Sequence, residues 1–208
     1  MTDPGTSLTA HPVHLWRFPK IFAIFHALDS ADDPALAYRE LSGPDKALFD
    51  AYFLPATYEP SYELTPLDAN GHPTGEVQTF DSLDDALSVT TSSTARRCWS
   101  AVTTWTGRAL MGNALFDTHT EGTWCSQNGR VVSAQFRRSW TTIGAIGWRD
   151  AGEIARGSGI SGGEARIWAQ RRLILGTGGW DIQNKQPCNR LNGGRTGLYS
   201  MSERCTTV

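Results

Sequence analysis

The sequence has no long hydrophobic run, no closely spaced cysteine pair and no run of basic residues longer than two. Its apolar run at 21–28 is eight residues long and contains His26, which is too short to span a membrane. The four cysteines form no CxxC motif, and only His119 lies between any two of them, which argues against a zinc site. Scattered arginines without a basic run argue against nucleic-acid binding. We therefore expect no membrane span, no metal, no cofactor and no nucleic-acid partner.

Glycine and tryptophan are abundant instead, with 21 glycines and 8 tryptophans in 208 residues. Turn-forming glycines and aromatic side chains are typical of β structure and not of a helical bundle. A chain of this length holds one good core or two small ones. The composition therefore favours a mainly β protein.

Charge is divided unevenly along the chain. Residues 1–95 hold 14 acidic and 4 basic residues, whereas residues 96–208 hold 7 acidic and 15 basic ones, of which 14 are arginine. Such asymmetry indicates either a basic binding face or two parts that attract each other. We favour attraction, because the two charges nearly cancel.

The first 95 residues carry helix and hairpin signals. Phe18, Phe22 and Phe25 have the spacing of one helical face. Ser42 precedes a Gly-Pro pair in the pattern of a capped helix start. We predict helices at 15–28, at 34–41 and from Pro44 to before Pro55, strands at 58–65 and 76–80, a helical turn at 81–89 and a linker at 90–95.

The stretch from Cys98 to Cys125 begins Cys-Trp and ends Trp-Cys. If it folds at 111–112 as an antiparallel hairpin, Cys98 faces Cys125 and Trp99 faces Trp124. Directly opposed residues of a non-hydrogen-bonded pair lie close enough for a disulfide. This register is therefore our prediction for the start of the second half.

Cys188 and Cys205 repeat the pattern, since they fold symmetrically about 196–197. Four cysteines allow three connectivities, and spacing alone does not decide between them. We predict the disulfides Cys98–Cys125 and Cys188–Cys205.

An even number of cysteines, all in the second half, favours disulfides and an oxidising compartment. The first ten residues are polar and acidic, unlike the basic start of a signal peptide. We therefore expect a secreted protein whose signal peptide has been removed. The alternative is a cytosolic protein with four free thiols.

The rest of the second half reads as short strands separated by glycines. Residues 165–175 alternate imperfectly, and we favour a strand over a helix there, with Ile167, Ala169, Leu173 and Leu175 on one face. We predict strands at 130–138, 139–150, 151–156, 165–175 and 180–182, and a loop at 157–163. The expected fold is mainly β, an antiparallel β-sandwich or small barrel with an N-terminal helical and hairpin region (α+β overall). The expected division is an acidic region at 1–95 and a disulfide-bonded β domain at 96–208.

Several short motifs resemble a loose set of short secreted actinobacterial proteins. They are Cys-Trp at 98–99, GNALF at 112–116, TWCSQNGRV at 123–131 and IGW at 146–148. The resemblance covers about residues 96–205 and implies a disulfide-bonded β domain. It implies no activity.

Asp117, His119 and Glu121 alternate, so on a strand they share one face. Such a set is a weak candidate for acid–base chemistry if it converges with Asp150 or Glu153. The simpler interpretation is a solvated face of an exposed strand.

Three other motifs have simpler explanations. Residues 159–163 match G-x-S-x-G around Ser161, and residues 157–162 match G-x-G-x-x-G. Neither sits in the strand–turn–helix context that its chemistry needs, so we interpret both as loop. His11 and His14 have metal-like spacing but no third ligand beside them.

Seven of the tryptophans lie between residues 99 and 180. Exposed aromatic side chains bind sugars or mark interfaces, while buried ones pack a small core. We predict that Trp105, Trp140 and Trp168 are exposed and available for binding.

No site in the sequence gathers a nucleophile, a base and a stabilising group. The first hypothesis is therefore a secreted, non-enzymatic binding or adaptor module that contacts an extracellular protein or glycan, in the style of a subunit of a secreted toxin-type assembly. The alternative is a secreted hydrolase acting on cell-wall or glycan material. A third hypothesis is a structural subunit whose N-terminal arm pairs with a neighbour's sheet edge.

Overall fold

The structure is a computed structural model that describes residues 18–80, 95–177, 180–202 and Cys205. Within these residues the chain forms three helices and ten strands. The helices are α1 (Phe18–Asp29), α2 (Pro34–Glu40) and α3 (Gly43–Phe53). The strands are β1 (Pro55–Leu67), β2 (Gln78–Phe80), β3 (Arg97–Ala109), β4 (Ala114–Gln127), β5 (Arg130–Ile143), β6 (Trp148–Ser161), β7 (Glu164–Thr177), β8 (Trp180–Lys185), β9 (Cys188–Gly193) and β10 (Leu198–Ser202). The helical turn predicted at 81–89, nearly all of the linker predicted at 90–95, and His11 and His14 lie outside the described residues.

The helices start where the sequence caps them. The Asp33 carboxylate accepts a hydrogen bond from the Leu36 amide at 2.9 Å, and the Ser42 hydroxyl accepts one from the Asp45 amide at 3.3 Å. Each cap satisfies an amide that the first helical turn leaves without a partner. The predicted second and third helices are therefore confirmed.

The first helix is also present, but its buried stripe differs from the predicted one. Ile21, Ile24 and Leu28 are buried, whereas Phe22 is 46% exposed. The two stripes are neighbours on the helix surface, and Phe25 lies at their border, with its ring centroid 5.1 Å from that of Phe53. The aromatic residues therefore marked the helix but not the face that packs.

The first sheet has the strand order β2-β1-β3-β4-β5. Its central hairpin pairs Cys98 with Cys125 and Trp99 with Trp124, as predicted. The register is maintained up to Gly107, where a bulge shifts it by one residue before the turn. Since β1 pairs with β3, the predicted division at residue 95 falls inside this sheet.

The second sheet has the order β10-β9-β7-β6, and β8 also pairs with β7. The prediction of a loop at 157–163 is wrong, because β6 continues to Ser161 and pairs with β7. Only Gly162 and Gly163 form the turn, with φ of 60° and 82°, which is the geometry of a tight hairpin. Gly157 leaves room for the indole of Trp168, since a Cβ there would lie 2.8 Å from it. The glycines therefore permit close packing inside a strand.

The two sheets pack face to face and form a sandwich-like mainly β fold, not a closed barrel. The predicted strand at 165–175 is confirmed as β7, and its four predicted core residues are all buried. Side chains of both sheets meet in one hydrophobic cluster that includes Trp99, Trp124, Ile167 and Leu191. Both predicted disulfides, Cys98–Cys125 and Cys188–Cys205, are present.

A buried asparagine also joins the sheets. The Asn189 side-chain amide donates hydrogen bonds to the carbonyls of Thr103 at 2.8 Å and Thr118 at 3.0 Å. Its side-chain oxygen accepts a hydrogen bond from the Thr103 hydroxyl at 2.5 Å. Because a buried amide is costly unless its groups are paired, this arrangement fixes one sheet against the other.

The two ends of the sandwich differ. At one, which we call the helix end, the helices cover the 110–113 turn. There the Met111 amide donates to the Ala51 carbonyl at 3.0 Å and the Trp148 indole donates to the Phe53 carbonyl at 2.9 Å. At the other, which we call the glycine end, lie the hairpin turns 128–129 and 162–163 and the loop 194–197.

The ion pairs do not follow the two halves of the sequence. Arg108 pairs with Glu59 and so joins the basic half to the acidic half. Other arginines, such as Arg138 with Glu121, pair within the basic half. Attraction between the halves is thus one contribution among several.

Candidate functional site

Asp117, His119 and Glu121 share the outer face of the first sheet. The intervening Thr118 and Thr120 are buried against the second sheet, and successive strand residues point to opposite faces. The shared face is as predicted. On it, each of the three side chains already has a polar partner on a neighbouring strand.

Those partners hold the two carboxylates. The Thr106 hydroxyl donates to Asp117 at 2.7 Å, and the Arg138 guanidinium donates to Glu121 at 2.6 Å. Both carboxylates thus join β4 to its neighbouring strands, Asp117 to β3 and Glu121 to β5.

His119 lies between two threonines. Its Nδ1 is 2.8 Å from the Thr104 hydroxyl and its Nε2 is 3.4 Å from the Thr142 hydroxyl. Its ring stacks on Trp140 with the centroids 4.6 Å apart. Burial lowers the pKa of His119, and the negative charge of Asp117 opposes this shift. The neutral imidazole is thus the favoured form in this position.

The carboxylates of Asp150 and Glu153 do not converge with the side chains on the outer face of the first sheet. Glu153 accepts a hydrogen bond from Ser139 at 2.6 Å, and Asp150 pairs with Arg171. Ser139 is the cross-strand partner of the buried Thr120, so it faces inward, opposite to Asp117 and Glu121. The structure therefore does not bring the two sets of carboxylates together.

The three predicted binding tryptophans are half-buried. Trp140 already contacts His119 and has the Arg138 guanidinium 4.6 Å from its ring centroid. Trp168 lies against Gly157 in the neighbouring strand. Trp105 lines a cleft, so the structure places it in a concave site.

The cleft has a volume of about 230 Å³ and opens between the two sheets. One wall is aromatic: Tyr58 from β1 and Trp105 from β3 meet edge to face with centroids 6.4 Å apart. The opposite wall is the segment 185–188, which links β8 to β9. Lys185 is its only charged lining residue among those described. The cleft thus combines flat apolar surface with an ammonium group and an amide.

The opposite wall is held in place by its backbone. The Gln170 side chain donates to the Gln186 carbonyl at 3.2 Å, and the Arg171 amide donates to the Pro187 carbonyl at 3.2 Å. Cys188 at its end forms the disulfide with Cys205. A wall fixed in this way keeps its shape before a ligand arrives, which lowers the entropic cost of binding.

Sequence reasoning identified Trp105 but missed Tyr58 and Lys185. Tyr58 comes from another strand, and Lys185 from the other sheet, so only the packed sandwich brings them together. One signal was present: Lys185 is the only lysine in residues 96–208, among 14 arginines. Such a departure from the local composition is a reason to examine a residue.

Other predicted motifs take structural roles. Ser161 is the last residue of β6, directly before a tight turn and not before a helix. In the part of the chain that the structure describes, no group of three His, Cys, Asp or Glu side chains could hold a metal ion. No helix among those described is both long enough and apolar enough to cross a membrane.

No protein-family model matches the chain, and neither a curated protein nor a solved structure is significantly similar to it. The resemblance to secreted actinobacterial proteins therefore stays a prediction.

Proposed function

We propose that the protein is a secreted binding or adaptor module that contacts an extracellular glycan, or a protein carrying one, through the cleft at Trp105. The observation that carries the proposal is the pairing of an aromatic wall, Tyr58 and Trp105, with a fixed polar wall at 185–188. Pockets with an apolar lining and a few placed polar groups are the usual form of a binding site.

A sugar ring suits this cleft. The apolar face of a pyranose packs on an aromatic ring, and its hydroxyl groups bond to amides and ammonium groups. The volume of about 230 Å³ is below the range of roughly 300–1,000 Å³ that holds drug-sized ligands. We therefore expect the cleft to take one terminal sugar, with further units of the glycan outside it.

The experiment is a titration of the whole protein with a library of bacterial cell-wall glycans, monitored by calorimetry. Trp105→Ala should weaken binding by about thirtyfold, since loss of a central aromatic costs about 2 kcal/mol or more. Lys185→Ala should weaken it less and leave folding unchanged. Trp180→Ala is the matched control, because Trp180 is 47% exposed and does not line the cleft.

Absence of binding to every glycan, or equal losses in the Trp105 and Trp180 variants, would refute the proposal. The adaptor role has its own test. A tagged copy incubated in the native culture medium should recover a glycosylated partner, and Trp105→Ala should not.

Two disulfides are compatible with an extracellular protein, since such bonds persist in oxidising compartments. Thiol titration of the denatured, unreduced protein should find no reactive thiol. Four reactive thiols in protein isolated from its own cells would contradict secretion.

A further inference from the structure

The glycine end holds a second cleft, distinct from the one at Trp105. Its volume is about 420 Å³, and it lies where two hairpin turns and one loop converge. Gly129 comes from the first turn, Gly162 and Gly163 from the second, and Arg195 and Thr196 from the loop. Loops that meet at one end of a sandwich are a common place for binding sites.

The two hairpin turns present unpaired amide groups. Asn128 and Gly129 have φ of 51° and 71°, and Gly162 and Gly163 have φ of 60° and 82°. Within the described residues, the amides of Gly129, Gly162 and Gly163 donate no backbone hydrogen bond. Successive amides in such turns form concave surfaces that bind anions.

The loop that carries Arg195 is fixed by hydrogen bonds from side chains of β4 and by one within the loop. The Trp124 indole donates to the Gly194 carbonyl at 3.1 Å, and the Ser126 hydroxyl donates to the Arg195 carbonyl at 2.8 Å. The Gly194 amide donates to Gly197 across the loop at 2.6 Å. The carbonyl of Arg195 is thus fixed by Ser126, and Arg195 is an exposed lining residue of the cleft.

Three arginines and one carboxylate lie in or beside the cleft. Among the residues that the structure describes, the guanidinium of Arg195 has no hydrogen-bonding or ion-pair partner. The acidic lining residue, Glu164, has its carboxylate 3.8 Å from the guanidinium of Arg166, which offsets its charge. Arg130 adds a further exposed positive charge directly after Gly129.

We propose that the glycine end is an oxyanion-binding site, in which Arg195 and the amides of Gly129, Gly162 and Gly163 hold a carboxylate, sulfate or phosphate group. The planar guanidinium donates two parallel hydrogen bonds to such a group, and the amides supply the remaining donors. This site shares no lining residue with the cleft at Trp105, so the two proposals are tested separately.

The test is an amide-resolved NMR titration of the whole protein with sodium sulfate, sodium phosphate and sodium acetate at constant ionic strength. Saturable shifts should be confined to the amides of the two turns and the loop. Tighter binding of sulfate or phosphate would assign the site to a tetrahedral group, and tighter binding of acetate would assign it to a carboxylate.

Arg195→Gln removes the charge and should weaken binding by about tenfold, the effect of one charge-assisted hydrogen bond. Its unfolding temperature should not change, since Arg195 is exposed and its carbonyl, which the substitution keeps, holds the hydrogen bond from Ser126. Arg172→Gln is the matched control, because Arg172 is an exposed arginine on β7 outside the cleft. Shifts that do not saturate, or equal losses in both variants, would overturn the proposal.

Discussion

The helix end and the glycine end close the same two sheets in different ways. At the helix end, rings from α3 pack with rings from the strands, and Phe49, Phe53 and Phe116 are at most 1% exposed. At the glycine end, the turns remain open around a cleft. The helix end is thus filled with packed rings, whereas the glycine end presents backbone amides and charge above its own buried cluster.

The sharpest way to break this contrast is to remove a ring at the helix end. Phe53→Ala deletes a side chain that is fully buried and contacts the rings of Phe25, Phe49 and Tyr52. The free energy of unfolding should fall by about 3–5 kcal/mol, because the helices cannot collapse into the cavity. Urea unfolding monitored by circular dichroism measures it.

Phe22→Ala is the control, since Phe22 is 46% exposed in the same cluster of helices. Phe22→Ala should lower the free energy of unfolding by much less than Phe53→Ala. A loss below about 1 kcal/mol for Phe53→Ala would show that the packed rings of the helix end contribute little to stability.

The packing below the turns of the glycine end can be tested by adding one methyl group at Gly193. A Cβ at Gly193 would overlap the indole of Trp124, which is fully buried. Gly193→Ala should therefore cost about 1–3 kcal/mol through overpacking. Gly43→Ala is the matched control, because a Cβ there meets nothing within 4 Å. Equal stability of the two variants would contradict the packing described here.

A smaller effect is expected in the turns themselves. Gly163→Ala places a side chain at φ of 82°, a conformation that costs an alanine about 1–2 kcal/mol. Gly75→Ala is a suitable comparison, because Gly75 is exposed and its φ is not in the left-handed region. Differential scanning calorimetry should show a lower unfolding temperature for Gly163→Ala only. If both variants unfold at the same temperature as the wild type, the left-handed backbone at Gly163 does not require glycine.

The smallest effect concerns pH on the outer face of the first sheet. Because burial holds the folded pKa of His119 below the ordinary histidine value of 6.5, the unfolded chain binds the proton more readily. The stability that His119 contributes is present above pH 6.5 and is lost as the pH falls through its folded pKa. The stability difference between the wild type and His119→Gln should therefore shrink from pH 7.5 to pH 5. A difference that grows on acidification would mean that the folded state prefers the charged imidazole.

The local sequence pattern predicted the helices and strands, but it did not predict which side chains come into contact when the two sheets pack. The Cys-Trp and Trp-Cys ends of the central hairpin predicted its register, because opposed residues on adjacent strands have to match. The glycine-rich stretch at 157–163 misled, since glycine also permits the close approach of an indole from the next strand. Lys185 and Tyr58 line the same cleft as Trp105 because the two sheets pack together. No local sequence pattern encodes that packing. The outer-face trio was found by alternation alone, yet its hydrogen-bonding partners lie on other strands.

The pairing of β1 with β3 also covers one edge of the central hairpin. β1 carries three prolines, at positions 55, 60 and 66, and its exposed acidic residues include Glu59 and Glu63. Prolines and charges make a strand a poor template for a further strand. A fragment that began at residue 96 would instead expose the 13 residues of β3 as an open edge. In the whole chain, β1 and the short β2 cover that edge of β3.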